Sequence, residues 1–153
     1  MNTNLRNNAI VQNQFIGTWQ LVSSETRDAD GQVTYPLGPD AVGYLMYTSD
    51  LYMSATLMKA NRPKFAAGDV GGGSTEEMAM AAQTYLAYCG KYEIRDNKVI
   101  HHIEASLFPN WVGVDQERFF EITDDRLELR TPPLLLYGKQ QVSYLIWKRI
   151  SIA

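Results

Sequence analysis

In the run from Val99 to Phe108, His102, Glu104 and Ser106 fall on one face and His101, Ile103 and Ala105 on the other, because successive strand side chains point to opposite sides. The next run carries Gln116, Arg118 and Phe120 on one face and Glu117, Phe119 and Glu121 on the other. If the two runs form a hairpin around Pro109 to Asp115, even positions face even positions, which sets Glu104 beside Arg118 and Ser106 beside Gln116. Glu117 and Glu121 require water, so the face holding His102, Glu104 and Arg118 is read as inward; a one-residue slip would reverse it. An inward carboxylate needs a partner, and a guanidinium offers a bidentate one. The chemistry open to such a cluster is proton transfer by His102 or Glu104, with Arg118 stabilising a developing enolate. That is the work of a cofactor-free isomerase or cyclase on a polyketide-like or terpenoid-like substrate. In a carrier, Arg118 would instead hold a ligand carboxylate or carbonyl. The structural alternative is an internal Glu104–Arg118 salt bridge that only fixes strand register.

Other chemistries find less support. Adjacent His101 and His102 point to opposite faces, and the chain has only two histidines, too few for a three-ligand metal site built on them. No metal or cofactor is expected. Cys89, in Tyr88-Cys89-Gly90, is the one cysteine and has no base beside it, so a buried, inert thiol is the commoner outcome. Gly71-Gly72-Gly73 lacks the lysine of a phosphate loop. Nine tyrosines and three tryptophans are a different signal. Tyr44, Tyr88, Tyr92 and Tyr144, with Met46 and Met58, are assigned to inner faces as an apolar wall with phenolic hydroxyls. Gln116, Phe120 and Ser106 join that wall, and Trp111 and Tyr35 would line a mouth or plug one end. For any one aromatic, plain core packing competes with ligand contact.

The elements that must position these residues are mostly strands. Period-two runs occur at Thr18–Glu25, Val42–Thr48, Tyr52–Met58, Tyr88–Ile94, Val99–Phe108, Gln116–Ile122, Arg126–Thr131 and Gln140–Ile150, separated by turn signals such as Asp30-Gly31, Asp96-Asn97 and Pro132-Pro133. In the first run, Trp19, Leu21 and Ser23 share a face. The run from Tyr35 to Asp40, with two prolines, reads as a rigid loop. Ser74 or Thr75 is a candidate N-cap for one short helix through Met78 and Ala81 to Tyr85 and Leu86. Its stripe of Met78, Ala81, Ala82, Tyr85 and Leu86 would cover a barrel opening, and the glycine-rich loop before it could make the pair a lid. About eight strands joined by short turns predict an all-β, closed, antiparallel up-and-down barrel, since closure removes exposed edges.

At 153 residues the chain suits one domain. Residues 1–14 are read as a flexible N-terminal arm and 15–151 as the barrel domain. A net charge of -3, without a run of Lys or Arg, disfavours nucleic acid and anionic lipid as partners. The N-terminal stretch lacks the apolar core of a secretory signal, no window reaches the roughly 20 apolar residues of a membrane span, and Cys89 is alone. A cytoplasmic protein, monomer or homodimer, is expected.

Gly17-Thr18-Trp19 resembles the Gly-x-Trp that opens the first strand of lipocalins and related calycins, and the last strand ends in Trp147-Lys148-Arg149. The resemblance implies that Arg149 packs over Trp19 and closes the barrel base. More specifically, the chain resembles the lipocalin-like domain family of small intracellular bacterial and fungal proteins. The likeness runs through Gly17-Thr-Trp-Gln-Leu-Val, Pro36-Leu-Gly-Pro-Asp, Gly43-Tyr-Leu-Met-Tyr-Thr, Tyr85-Leu-Ala-Tyr and His101-His-Ile-Glu-Ala-Ser-Leu-Phe-Pro-Asn-Trp-Val-Gly, spanning Phe15 to Arg149. It implies a calycin barrel in a superfamily that holds both carriers and cofactor-free isomerases or cyclases. Three readings therefore stand: a barrel binding a small hydrophobic or aromatic metabolite, the isomerase or cyclase, and a fully packed structural module.

Overall fold

The structure is a computed structural model that describes residues 3–151. Ten strands follow a helix in chain order: α1 (Thr3–Phe15), β1 (Gly17–Asp28), β2 (Val33–Thr34), β3 (Val42–Tyr47), β4 (Tyr52–Met58), α2 (Thr75–Gln83), β5 (Tyr85–Arg95), β6 (Lys98–Ser106), β7 (Asp115–Ile122), β8 (Arg126–Arg130), β9 (Leu134–Leu136) and β10 (Lys139–Arg149). Eight of them close in the order β1-β3-β4-β5-β6-β7-β8-β10, with β10 returning to β1. Every pairing is antiparallel. This is the expected up-and-down barrel. The short β2 and β9 lie beside β1 and β10.

The segment expected as a flexible arm is helical from Thr3, and residues 1 and 2 of it lie outside the described residues. The helix ends at Phe15, which is fully buried against Tyr47 and Phe120 with ring centroids 5.1 and 4.9 Å away. This aromatic plug closes one end of the barrel. Trp19 Nε1 donates to the Phe15 carbonyl at 2.9 Å, so the helix end and the first strand are tied together. The Arg149 guanidinium lies 4.1 Å from the centre of the Trp19 ring, as the family resemblance implied. It also donates to the carbonyls of Ile16 at 2.8 Å, Asp124 at 2.6 Å, and Gln14.

Two bulges set which side chains face inward above that base. In β1 the register shifts between Leu21 and Ser23, leaving Val22 unpaired and exposed. Below the bulge Trp19 and Leu21 point inward; above it Ser24 and Thr26 do. The expected face of Trp19, Leu21 and Ser23 therefore holds only as far as Leu21. In β6 the partners pass from Gly90–Ile103 to Cys89–Ala105, leaving Glu104 as the extra residue. A Cβ at position 90 would lie 1.9 Å from the carbonyl oxygen of His102, so only glycine permits this approach.

The described residues hold two α-helices rather than one. α2 stops at Gln83, and Tyr85 and Leu86, expected to extend it, begin β5 by pairing with Met58 and Leu57. A nine-residue helix has little stability of its own, and none of its residues is buried. The β4 ladder wins those two residues. The stripe expected over the opening is broken accordingly, with Met78 and Ala82 exposed. Caps hold α2 in place instead. Ser74 Oγ accepts from Glu77 N at 3.1 Å, and the Glu77 carboxylate accepts from Ser74 N at 3.0 Å and Ala66 N at 2.9 Å. Arg62 donates to the Ala81 carbonyl at 2.9 Å and to Thr84 Oγ1 at 3.1 Å.

Candidate functional site

Above the aromatic plug the barrel keeps a cavity of ≈ 240 Å³ that opens between the loops at the other end. Its existence counts against the fully packed module. The volume falls below the roughly 300–1,000 Å³ usual for drug-sized ligands. It suits one substituted ring better than a long chain or a fused polycycle.

The walls are apolar with sparse, ordered polarity. Leu45, Ala55, Trp147 and Leu129 line the deep part, with Tyr88 beside them. The bulge in β1 brings the hydroxyls of Ser24 and Thr26 to the cavity, next to Ser143 and Thr131 of the neighbouring β10 and the loop after β8. Some of these hydroxyls serve the scaffold: Thr26 Oγ1 lies 2.6 Å from Thr34 Oγ1, and Thr131 Oγ1 accepts from Ser143 N at 2.9 Å. Leu37, Tyr85, Trp111, Leu136 and Tyr137 surround the mouth.

Arg118 is the one charged residue on the cavity wall. It is 5% exposed. Its Nη1 donates to Gln116 Oε1 at 3.3 Å and to the Glu117 carbonyl at 2.8 Å, both neutral acceptors. Nε and Nη2 have no protein partner among the described residues, and no carboxylate pairs with the guanidinium. Neither Nε nor Nη2 is sealed off from the cavity, whereas the Trp147 indole N–H is an enclosed donor without an acceptor. A buried donor left unmet costs free energy, and a buried cation without a counterion costs more.

Next to Arg118 sits His101, fully buried. Its Nε2 shares a 2.8 Å hydrogen bond with the Tyr47 hydroxyl, and its Nδ1 lies 3.4 Å from the Tyr88 hydroxyl. Loss of water, and then the positive charges of Arg118 and His102, hold the imidazole well below the ordinary histidine range. It is neutral, so it donates through one nitrogen and accepts through the other. Burial likewise pushes the Tyr47 phenol well above its usual range, and pushes Tyr92 up to about 12.

The structure reverses the expected face of β6. His101 pairs with Gln116 and Val99 with Arg118, so odd positions of β6 face even positions of β7. Val99, His101 and Ile103 are buried, while the opposite row carries Lys98, His102 and the bulged Glu104 to the outside. His102 Nδ1 is 2.6 Å from Asp115 Oδ1, and its Nε2 is 3.7 Å from Glu93 Oε1. Glu104 is exposed and makes no salt bridge with Arg118. The two residues expected to share catalysis with Arg118 are thus on the far side of the wall, and His101 is the histidine inside.

Four wall assignments also fall outside, Met58 among them, because Met53, Ala55 and Leu57 take the inner positions of β4 and the Met58 sulfur faces Arg62. Tyr44 and Met46 are 40% and 45% exposed, because Gly43, Leu45 and Tyr47 take the inner positions of β3. Tyr144 lies under the Arg27 guanidinium at 4.1 Å, because Ser143, Leu145 and Trp147 face the cavity from β10. Arg118, Tyr88 and Trp111 stand on the cavity wall. Tyr92, Gln116 and Phe120 point inward but pack into the scaffold: Tyr92 donates to the Thr48 carbonyl at 3.0 Å, Gln116 holds Arg118, and Phe120 meets Phe15. Ser106 pairs with Tyr88, and its hydroxyl accepts from Phe108 N at 3.1 Å.

Sequence reasoning missed the β9 hairpin, which gives Leu134, Leu136 and Tyr137 to the mouth. A signal was present in Pro132-Pro133-Leu-Leu-Leu-Tyr137-Gly138. Tyr137 and Gly138 have φ of 52° and 80°, the two positive values of a tight two-residue hairpin turn. Leu135 and Tyr137 project into solvent, 68% and 80% exposed.

Among the described residues, no helix is long and apolar enough to cross a membrane. The model of the lipocalin-like domain family matches residues 16–150. A 4'-hydroxy-3'-methoxypropiophenone carrier protein of Aspergillus oryzae is 38% identical over 107 residues, covering 64% of this chain and 96% of that protein. Two solved structures are more remote. A protein from Bacteroides eggerthii has a TM-score of 0.45 at 15% identity, covering 89% of this chain and 99% of that chain. A mutant of the fluorescent protein UnaG has a TM-score of 0.39 at 13% identity, covering 89% of this chain and 96% of that chain.

Proposed function

Since the chain belongs to the lipocalin-like domain family, we propose that it is a carrier, holding a single-ring, largely apolar metabolite with an oxygen acceptor inside the barrel. The observation that carries this reading is Arg118, a buried guanidinium with free donors on the wall of an open apolar cavity. Tyr88 and Trp111, with ring centroids 5.5 Å apart, supply flat aromatic surface for the ring. The carrier of Aspergillus oryzae is named for an aryl ketone of this kind, which supports the size and chemistry read from the walls. Lone Cys89 supports a cytoplasmic setting, because small secreted domains lean on disulfides.

The test is native mass spectrometry of the purified protein, followed by denaturing extraction and by titration with 4'-hydroxy-3'-methoxypropiophenone. A stoichiometric single-ring compound, or saturable one-to-one binding that quenches tryptophan fluorescence, is expected. An empty protein that binds neither this ketone nor a panel of similar-sized aromatics would overturn the reading.

The isomerase or cyclase reading keeps one specific support, the chain of polar groups Tyr88–His101–Tyr47 beside Arg118. It would let Tyr88 exchange a proton with a ligand whose carbonyl Arg118 polarises. Against it, His101 is a weak base where it lies, and no carboxylate lines the cavity. Catalysed exchange of the ketone α-hydrogens for deuterium, lost in Tyr88→Phe, would favour catalysis over carriage.

A further inference from the structure

We infer that the cargo is held as an anion: an aromatic hydroxyl compound, made acidic by conjugation to a carbonyl, that loses its proton on entry and pairs as phenolate with Arg118. This deepens the carrier reading and rests on it.

The charge balance of the interior carries the inference. Arg118 is the sole charged side chain on the cavity wall, and it is held by one amide oxygen and one backbone carbonyl, both on Nη1. The polar groups around it from the surrounding strands are Gln116 on β7, His101 on β6 and Tyr47 on β3, with Tyr88 and Tyr92 of β5 packed against His101 and Tyr47. None is a carboxylate. The acidic residues nearest in sequence are committed outside or exposed: Glu117 pairs with Lys98 at 2.8 Å, Asp115 with His102 at 2.6 Å, and Glu121 is exposed; on β5, Glu93 pairs with Arg95 and His102. His101 is neutral and adds no compensating charge. The protein thus builds a buried positive site and supplies no counterion, leaving the planar fork of Nε and Nη2 for a ligand oxygen.

A neutral carbonyl would satisfy a hydrogen bond of that fork but leave the charge uncompensated. An oxyanion does both. A conjugated phenolate spreads its charge over the ring, so it tolerates the apolar walls of Leu45, Leu129 and Trp147 better than a localised charge would. The proton released goes to solvent through the open mouth, and no bond of the cargo other than O–H is broken.

The experiment uses the whole chain and two probes, 4'-hydroxy-3'-methoxypropiophenone and its 4'-methyl ether, at a pH one to two units below the free phenol's own pKa. Absorbance distinguishes phenol from phenolate. Calorimetry in buffers of different ionisation enthalpy counts protons released. The expected result is a red-shifted phenolate band on binding, close to one proton released, and at least tenfold weaker binding of the ether. Arg118→Gln should abolish the band shift and proton release and bring phenol and ether to similar affinities. If that variant fails to fold, the proton count in the unmodified protein decides alone. Phenol and ether binding equally, without band shift or proton release, would overturn the anion inference and leave the carrier reading standing. No binding of either probe, with no other aromatic bound, would overturn both.

Discussion

The two ends of the barrel are built by opposite rules. At the closed end nearly every group meets another protein group: Phe15 plugs Tyr47 and Phe120, Trp19 donates to the helix, and Arg149 serves one ring and three carbonyls. Towards the open end the protein leaves partners out. Arg118 has free donors on the cavity wall, and Leu135 and Tyr137 stand in solvent. Satisfied polarity gives a base that needs nothing further, and unsatisfied polarity gives a wall that needs a cargo.

The contrast can be broken most sharply at Trp19. Trp19→Ala removes a fully buried ring from the base, and denaturant unfolding should show a loss of about 3–5 kcal/mol. A loss near zero would mean that the base does not hold the barrel together. Arg118→Met should do the reverse. Removing an unpaired buried cation is expected to leave stability unchanged or raise it by about 1–3 kcal/mol, while cargo affinity falls at least tenfold in titration. A clear loss of stability would make Arg118 a scaffold residue like Arg149.

A third test uses pH. His101 is neutral when folded and titrates well below its ordinary value. Below about pH 6.5 the unfolded chain therefore takes up a proton that the folded chain refuses. Stability is fully present above that pH and falls as pH drops toward the folded value, by up to about 1.4 kcal/mol per unit. Unfolding midpoints between pH 7 and 5 should show this slope, and His101→Gln should flatten it. An unchanged slope would mean that another group sets it. The smallest effect is expected at the rim, where Ser74→Ala removes the cap of α2 and costs about 1 kcal/mol locally. Hydrogen exchange should quicken in α2 while the global midpoint barely moves; a matching global loss would show that the rim folds with the base.

Much of this architecture was legible in residue patterns. Gly17 to Trp19 and the alternating runs led to an eight-stranded closed barrel, and Arg149 lies over Trp19 as the family resemblance implied. Arg118 and Tyr88 lie on the cavity wall, and Trp111 stands at its mouth. Parity was the weak point. His102 and Glu104 are carried inward with Arg118 by setting even positions opposite even ones, whereas Val99 pairs with Arg118, and Val99, His101 and Ile103 form the more apolar row, which decides the face of a strand. Parity likewise misplaces Tyr44, Met46, Met58 and Tyr144, where Leu45, Tyr47, Leu57 and Leu145 have the better claim. The bulges at Val22 and Glu104 involve cross-strand register, which no single run contains. β9 was hidden because Pro132-Pro133 reads as punctuation, and the leucines after it are too few to show a period.

The bulge at Val22 has a consequence for how such a barrel diversifies. Below it, β1 is read in one frame, whose inward residues are the base; above it, in another, whose inward residues Ser24 and Thr26 touch the cargo space. One strand thus carries two independent messages. Substitutions in the upper frame can retune what the cavity accepts without rewriting the lower, and because Ser23 already pairs with Ile146 and Ser24 with Leu145, a chain without Val22 would keep Ser24 and Thr26 turned to the cargo.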